Sequence, residues 1–173
     1  MSAKEVGVDK IPIIDIAPLK DGRNPGKVAR QLYDASTSLG FIYIKGHGIS
    51  EEVIEDLRSD GLQFFRSSSA KKKKVAISER HRGWLGYGGA KMDDKAKPDL
   101  KESFIWGYDQ EDEQVEDHPM RGINKFPDFV PTLKDNALQY FKEADSVAKT
   151  LLEGFAIGLG LEKLFFIRNA AQP

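Results

Sequence analysis

The stretch Leu39-Gly40-Phe41-Ile42-Tyr43-Ile44-Lys45-Gly46-His47-Gly48-Ile49-Ser50 decides how the chain is read. Gly40 closes a helical pattern: Val28, Leu32, Ala35 and Leu39 recur at three- or four-residue steps from Lys27 and then stop. Phe41 to Ile44 are aromatic or β-branched without a break, which is strand composition, and the glycines on either side of His47 predict a turn. Ser50 before Glu51 and Glu52 is an N-cap with acids in the first turn. Val53, Ile54, Leu57, Leu62, Phe64 and Phe65 supply the apolar face of the helix that follows.

Upstream, Ile11-Pro12-Ile13-Ile14-Asp15-Ile16 reads as a first or edge strand closed by Ala17-Pro18, and Asn24-Pro25-Gly26 reads as a turn. The opening is therefore strand, helix, strand. Downstream, Gly61 is expected to kink or weaken its helix, and Ser67 to Lys74 reads as a solvated connector or helix end. RGWLGYGG at 82–89 sets two aromatics among four glycines, an irregular loop. From Glu102 the chain alternates, with Phe104, Trp106 and Tyr108 on one side of a strand. The acids from Asp109 to Asp117 form a solvated run without calcium-loop spacing, and His118-Pro119 and Phe126-Pro127 bracket an irregular segment. Leu133, Ala137, Tyr140, Phe141, Ala144, Ala148, Leu151, Leu152, Phe155 and Leu159 then mark a spine helix on the order of 40 Å long. Gly154, Gly158 and Gly160 mark where it frays or packs closely.

The 173 residues carry 26 Lys+Arg against 27 Asp+Glu, a net charge of −1, with 40% hydrophobic residues. This is the composition of one soluble globular domain, and it argues against a nucleic-acid or membrane partner. The absence of cysteine excludes a disulfide framework, a Cys-rich zinc site and a thiol nucleophile. No apolar run approaches the ~18 residues of a membrane span, and a cytosolic setting is expected. The histidine triplets His47-Gly48-Ile49, His81-Arg82-Gly83 and His118-Pro119-Met120 give no His-x-Asp or His-x-Glu pair. No His-Glu-x-x-His helix, Gly-x-Ser-x-Gly elbow or P-loop ending is present either. Neither catalytic nor metal-ligating residues can be assembled from the residues alone.

In order, IPIIDIAPL, a helix, LGFIYIKGHGIS, a helix ending LQFFRSS, RGWLGYGG and PDLKESFIWG resemble the amino-terminal region of the non-haem iron(II)/2-oxoglutarate-dependent dioxygenases related to isopenicillin N synthase. The resemblance spans residues 11 to 165, with Gly46 standing where that family usually has asparagine. It implies an α+β class: a strand-helix-strand-helix region and a spine helix, normally packed on a double-stranded β-helix, with that jelly-roll core missing here. Residues 1–10 are then a polar leader and 166–173 a truncated tail. In the family, iron is held by His-x-Asp and a distant His, and 2-oxoglutarate by Arg-x-Ser, all on the jelly roll. No position here inherits those roles, and the chain alone is expected to be inactive, iron(II) and 2-oxoglutarate being cofactors of the full-length enzyme.

Matching RGWLGYGG onto the family suggests Arg82, Trp84 and Tyr87 as substrate-facing, with Glu102 and Phe104 on the following strand nearby. Arginine suits a carboxylate through its planar fork, although a loop arginine is also an ordinary surface charge, and Trp84 and Tyr87 are also candidates to cap a core edge. His47 is expected as a buried imidazole bonded to backbone, and His81 and His118 as solvent-exposed. The resemblance leaves two functions open. The chain is either part of an oxygenase that oxidises a small organic substrate, or a non-catalytic relic whose bare apolar face is covered by a jelly-roll domain or another partner.

Overall fold

The computed structural model describes residues 11–90, 95, 97–109 and 122–170. The polar leader, His118-Pro119, the end of the tail and the acidic run beyond Asp109 lie outside the described residues. The chain divides into two compact units, Met1–Ile49 with Glu143–Pro173, and Ser50–Lys142.

In the first unit β1 (Ile13–Asp15) pairs in parallel with β2 (Tyr43–Lys45), Ile14 lying opposite Ile44. Parallel strands need a crossover, supplied here by α1 (Ala17–Asp21) and α2 (Pro25–Ser38). Each helix has a proline at its first or second position, where a missing N–H is harmless, and Gly22 ends α1 at φ 75°. Periodicity alone misses α1 because five residues show no repeat. Strand alternation decides burial: Ile14 is 3% exposed, whereas Ile13 on the opposite face is 66% exposed. Ile14, Ile16, Leu19, Val28, Leu32 and Val147 form the core of this unit.

α5 (Leu133–Gly158) is the 26-residue spine, about 39 Å long at ~1.5 Å per residue. Its late glycines mark close packing. A Cβ on Gly154 would stand 2.8 Å from Leu19 and Leu32, and one on Gly158 would stand 2.7 Å from the Ala29 carbonyl oxygen.

The second unit begins with α3 (Glu51–Arg66), whose Ser50 cap accepts a hydrogen bond from the Glu52 N–H at 3.2 Å. Gly61 interrupts nothing. The helix runs through it, and a Cβ there would meet no atom within 4 Å. Two further expectations are corrected. The polar run contains α4 (Ser69–Lys72) and a 3-10 turn at Lys73–Val75, and Lys72 is buried rather than solvated. Within RGWLGYGG, Gly83–Leu85 is a strand, β3, antiparallel to β4 (Ser103–Ile105), with Trp84 opposite Phe104. β4 is also shorter than the alternation implied. Phe64, fully buried, centres the core here: it lies 4.8 Å from Phe104 and 5.8 Å from Phe129 between ring centroids. Buried Asp60 on α3 accepts hydrogen bonds from Thr132 Oγ1 and Asn136 Nδ2, both at 2.8 Å. Its charge thus sits at the N-terminal end of α5, where the helix dipole favours an anion.

The two helical glycines give a paired test. Gly61→Ala should stabilise the protein by about 0.5–1 kcal/mol, because it removes backbone entropy and meets open space. Gly158→Ala should destabilise it by about 1–3 kcal/mol through contact with the Ala29 carbonyl. Urea unfolding of both variants checks the opposite signs.

Candidate functional site

The residues singled out at 82–87 and 102–104 come together on the β3–β4 ribbon, where they divide into two environments. Trp84, Glu102 and Phe104 are locked into the protein. Lys72 Nζ donates to Glu102 Oε1 at 2.8 Å and Oε2 at 2.7 Å, and also to the Phe65 carbonyl at 2.9 Å. Trp84 Nε1 donates to Glu102 Oε2 at 2.7 Å, and the Lys72 ammonium lies 5.5 Å from the centroid of the Trp84 ring. The Lys72 and Glu102 side chains are 5% and 12% exposed. Burial by itself would raise the Glu102 carboxyl, but the hydrogen bonds from Lys72 and Trp84 outweigh it and hold the group below the ordinary glutamate range. Phe104 packs between Phe64 and Phe126.

Arg82 is different. It is 8% exposed, which removes the surface-charge reading, and it has no ion pair among the described residues. Nη1 makes only long hydrogen bonds to the carbonyls of His81 and Arg80, at 3.3 and 3.5 Å, and Nε is buried without a partner. Burial pulls the guanidinium below its ordinary value. Its fork lies against Gly107, where a Cβ would stand 2.6 Å from Nη2. Asn124 fixes that glycine by bonding both sides of its backbone: Oδ1 accepts from the Gly107 N–H at 2.9 Å and Nδ2 donates to its carbonyl at 3.0 Å. Tyr87, at the end of the glycine loop, is 69% exposed.

Asn124 also lines a cavity of about 650 Å³ with Asp109, Phe126, Asp128, Val130 and Lys134. Sequence reasoning missed this cavity, since its polar residues come from three separate segments. Of the histidines, His47 is half-buried rather than buried, and its Nδ1 accepts from the Ile49 N–H at 3.1 Å. His81 is exposed on a left-handed turn, φ 57°. Among the described residues no group of three or more His, Asp or Glu side chains could hold a metal ion. No helix among them is long and apolar enough to cross a membrane.

The family model "non-haem dioxygenase in morphine synthesis N-terminal" matches residues 11–129. A homoarginine-6-hydroxylase of Glycine max is 32% identical over 163 residues, covering 87% of this chain and 49% of that protein. A probable iron/ascorbate oxidoreductase of Dictyostelium discoideum is 27% identical over 94% of this chain and 49% of its own length. The crystal structure of a full-length Neurospora crassa protein with alpha-KG superposes with a TM-score of 0.74 at 26% identity, over 93% of this chain and 51% of that one. The chain spans about half the length of the relatives it matches.

Lys72→Met should destabilise the protein by about 3 kcal/mol, because it leaves the Glu102 carboxylate buried without its counter-ion. Lys72→Met combined with Glu102→Leu should recover most of that loss. Chemical denaturation of the single and double variants at neutral pH measures both, and a double variant as unstable as the single would remove the charge argument.

Proposed function

This chain belongs to the non-haem dioxygenase amino-terminal family, and from that premise we propose that it is the substrate-side half of an iron(II)/2-oxoglutarate-dependent oxygenase acting on a small organic molecule. The observation that carries the reading is the family match across residues 11–129 in a chain that aligns with about half of each relative. The described residues do not fit an iron site, so iron(II) and 2-oxoglutarate are assigned to the half of the relatives that this chain does not match. What this half contributes is a wall. In the proposal the Lys72–Glu102–Trp84 cluster and Phe104 hold the ribbon rigid, while Arg82 and Tyr87 face the substrate.

Arg82 supports that division because its Nη1 makes only two long bonds to carbonyls and it has no carboxylate partner among the described residues, which suits its fork to an anionic group such as a carboxylate. Tyr87 supports it through an exposed ring, suited to an apolar substrate body. We place the enzyme in the cytosol.

A second reading draws on the outer face of β1–β2, where Ile13 and Tyr43 are 66% and 52% exposed and Phe41 beside them is 70% exposed. In that reading the chain is a non-catalytic module, and a jelly-roll domain or another partner covers these side chains.

Iron(II) titration of the purified 173-residue chain, with succinate measured after adding 2-oxoglutarate, tests the division of labour. The expected result is no stoichiometric iron binding and no succinate. Stoichiometric binding with succinate release would place the reacting centre in this chain and overturn the proposal.

A further inference from the structure

We infer that Asn124 is a positioning residue for Arg82 and acts through the backbone of Gly107, a role whose functional meaning rests on the substrate-facing reading of Arg82. The hydrogen bonds of Arg82 itself are too long to orient its side chain. Nη1 reaches the carbonyls of His81 and Arg80 only at 3.3 and 3.5 Å, against the ~2.9–3.0 Å of an ordinary N–H···O bond. What the fork meets instead is Gly107. A Cβ built on that glycine would stand 2.6 Å from Nη2, 3.0 Å from Cζ and 3.3 Å from Nε, so the guanidinium fills the space a side chain would take. Arg82 directly precedes β3, Gly107 lies just past β4, and Gly83 pairs with Ile105, so the two meet at one end of the ribbon.

The strand ladder ends at Ile105 and does not hold Gly107. Asn124 does: Oδ1 accepts from the Gly107 N–H at 2.9 Å, and Nδ2 donates to the Gly107 carbonyl at 3.0 Å and to Asp109 Oδ1 at 3.1 Å. The carbonyl beside the guanidinium is thus engaged by the Asn124 amide. A second contact ties the same segment to the other side of the arginine. A Cβ on Gly122 would stand 2.5 Å from Arg80 Cβ, which sets residues 122–124 against the turn whose carbonyls Nη1 reaches. The backbone of Arg82 is fixed separately, because Ser78 Oγ accepts from its N–H at 3.2 Å and the Ser78 N–H donates to its carbonyl at 2.9 Å. A long side chain held at both ends has little freedom left to lose to a ligand, so its ordering cost falls on folding rather than on binding.

The guanidinium NMR signals of Arg82 in the full chain, assigned by their loss in Arg82→Lys, test the positioning role. A free guanidinium rotates about its Nε–Cζ bond and averages its two Nη groups, whereas a held one shows them separately. The unaltered chain should show separate Nη signals. Asn124→Ala, which removes the clamp, and Gly107→Ala, which fills the guanidinium's space with Asn124 intact, should each average them. Gly158→Ala, a destabilising change in the other unit, should leave them separate, as would any purely stabilising role for Asn124. Averaged signals in the unaltered chain, or separate signals kept in both variants, would overturn the role. Benzoate titrated into the same samples distinguishes this role from the substrate-facing reading: it should shift the Arg82 signals saturably in the unaltered chain and bind about fivefold more weakly to Asn124→Ala. No shift in the unaltered chain would count against the substrate-facing reading and leave positioning to be decided by the rotation result, whereas equal affinity in the two chains would overturn positioning.

Discussion

Lys72 and Glu102 form a desolvated ion pair on which the arrangement of the second unit depends. Two charges taken out of water cost several kcal/mol each, and only close geometry with every remaining site bonded offsets that cost. Here Lys72 divides its hydrogens between both Glu102 oxygens and the Phe65 carbonyl, and Glu102 also accepts from the Trp84 indole. The three residues come from α4, β3 and the position just before β4, so one electrostatic cluster fixes a ribbon that is only three residues long on each strand. Strands that short have too few ladder bonds to hold a register unaided. The aromatic core around Phe64 then packs against a surface already set.

That cluster gives Arg82 its meaning. Glu102 and Arg82 belong to the same ribbon region, and both are largely withdrawn from solvent, yet one is fully satisfied and the other is not. A satisfied buried charge specifies structure, whereas a buried cation left with long carbonyl contacts is costly and calls for an explanation. The substrate-facing role proposed for Arg82 would supply one, and it would require a rigid neighbour, since recognition weakens when the supporting residues move.

Much of the fold is readable along the chain because it rests on local repeats. α2, α3 and α5 follow from apolar spacing, and the Ser50 cap and the Gly40 stop, at φ 80°, follow from residue chemistry. β3 is hidden because its three residues sit among glycines that signal a loop, and its strand character comes from pairing with β4 rather than from its own composition. Lys72 reads as one of four equivalent lysines; the partner that buries it is thirty residues away in sequence. Arg82 was legible as a residue of interest but not as a buried one. The cavity by Asn124 left no trace, because spacing along the chain does not report which distant side chains share a concave surface.

The Trp84 indole N–H reports the central ion pair directly, and its NMR signal followed against pH is the most direct test. Because Glu102 is held below the ordinary glutamate value of ~4.3, the pair's contribution to stability is fully present above that value and is lost as pH falls through the lower, folded-state value. The indole proton should be protected from exchange at neutral pH, and its chemical shift should move only below about pH 4.3. Rapid exchange at neutral pH, or a titration midpoint at or above that value, would contradict it.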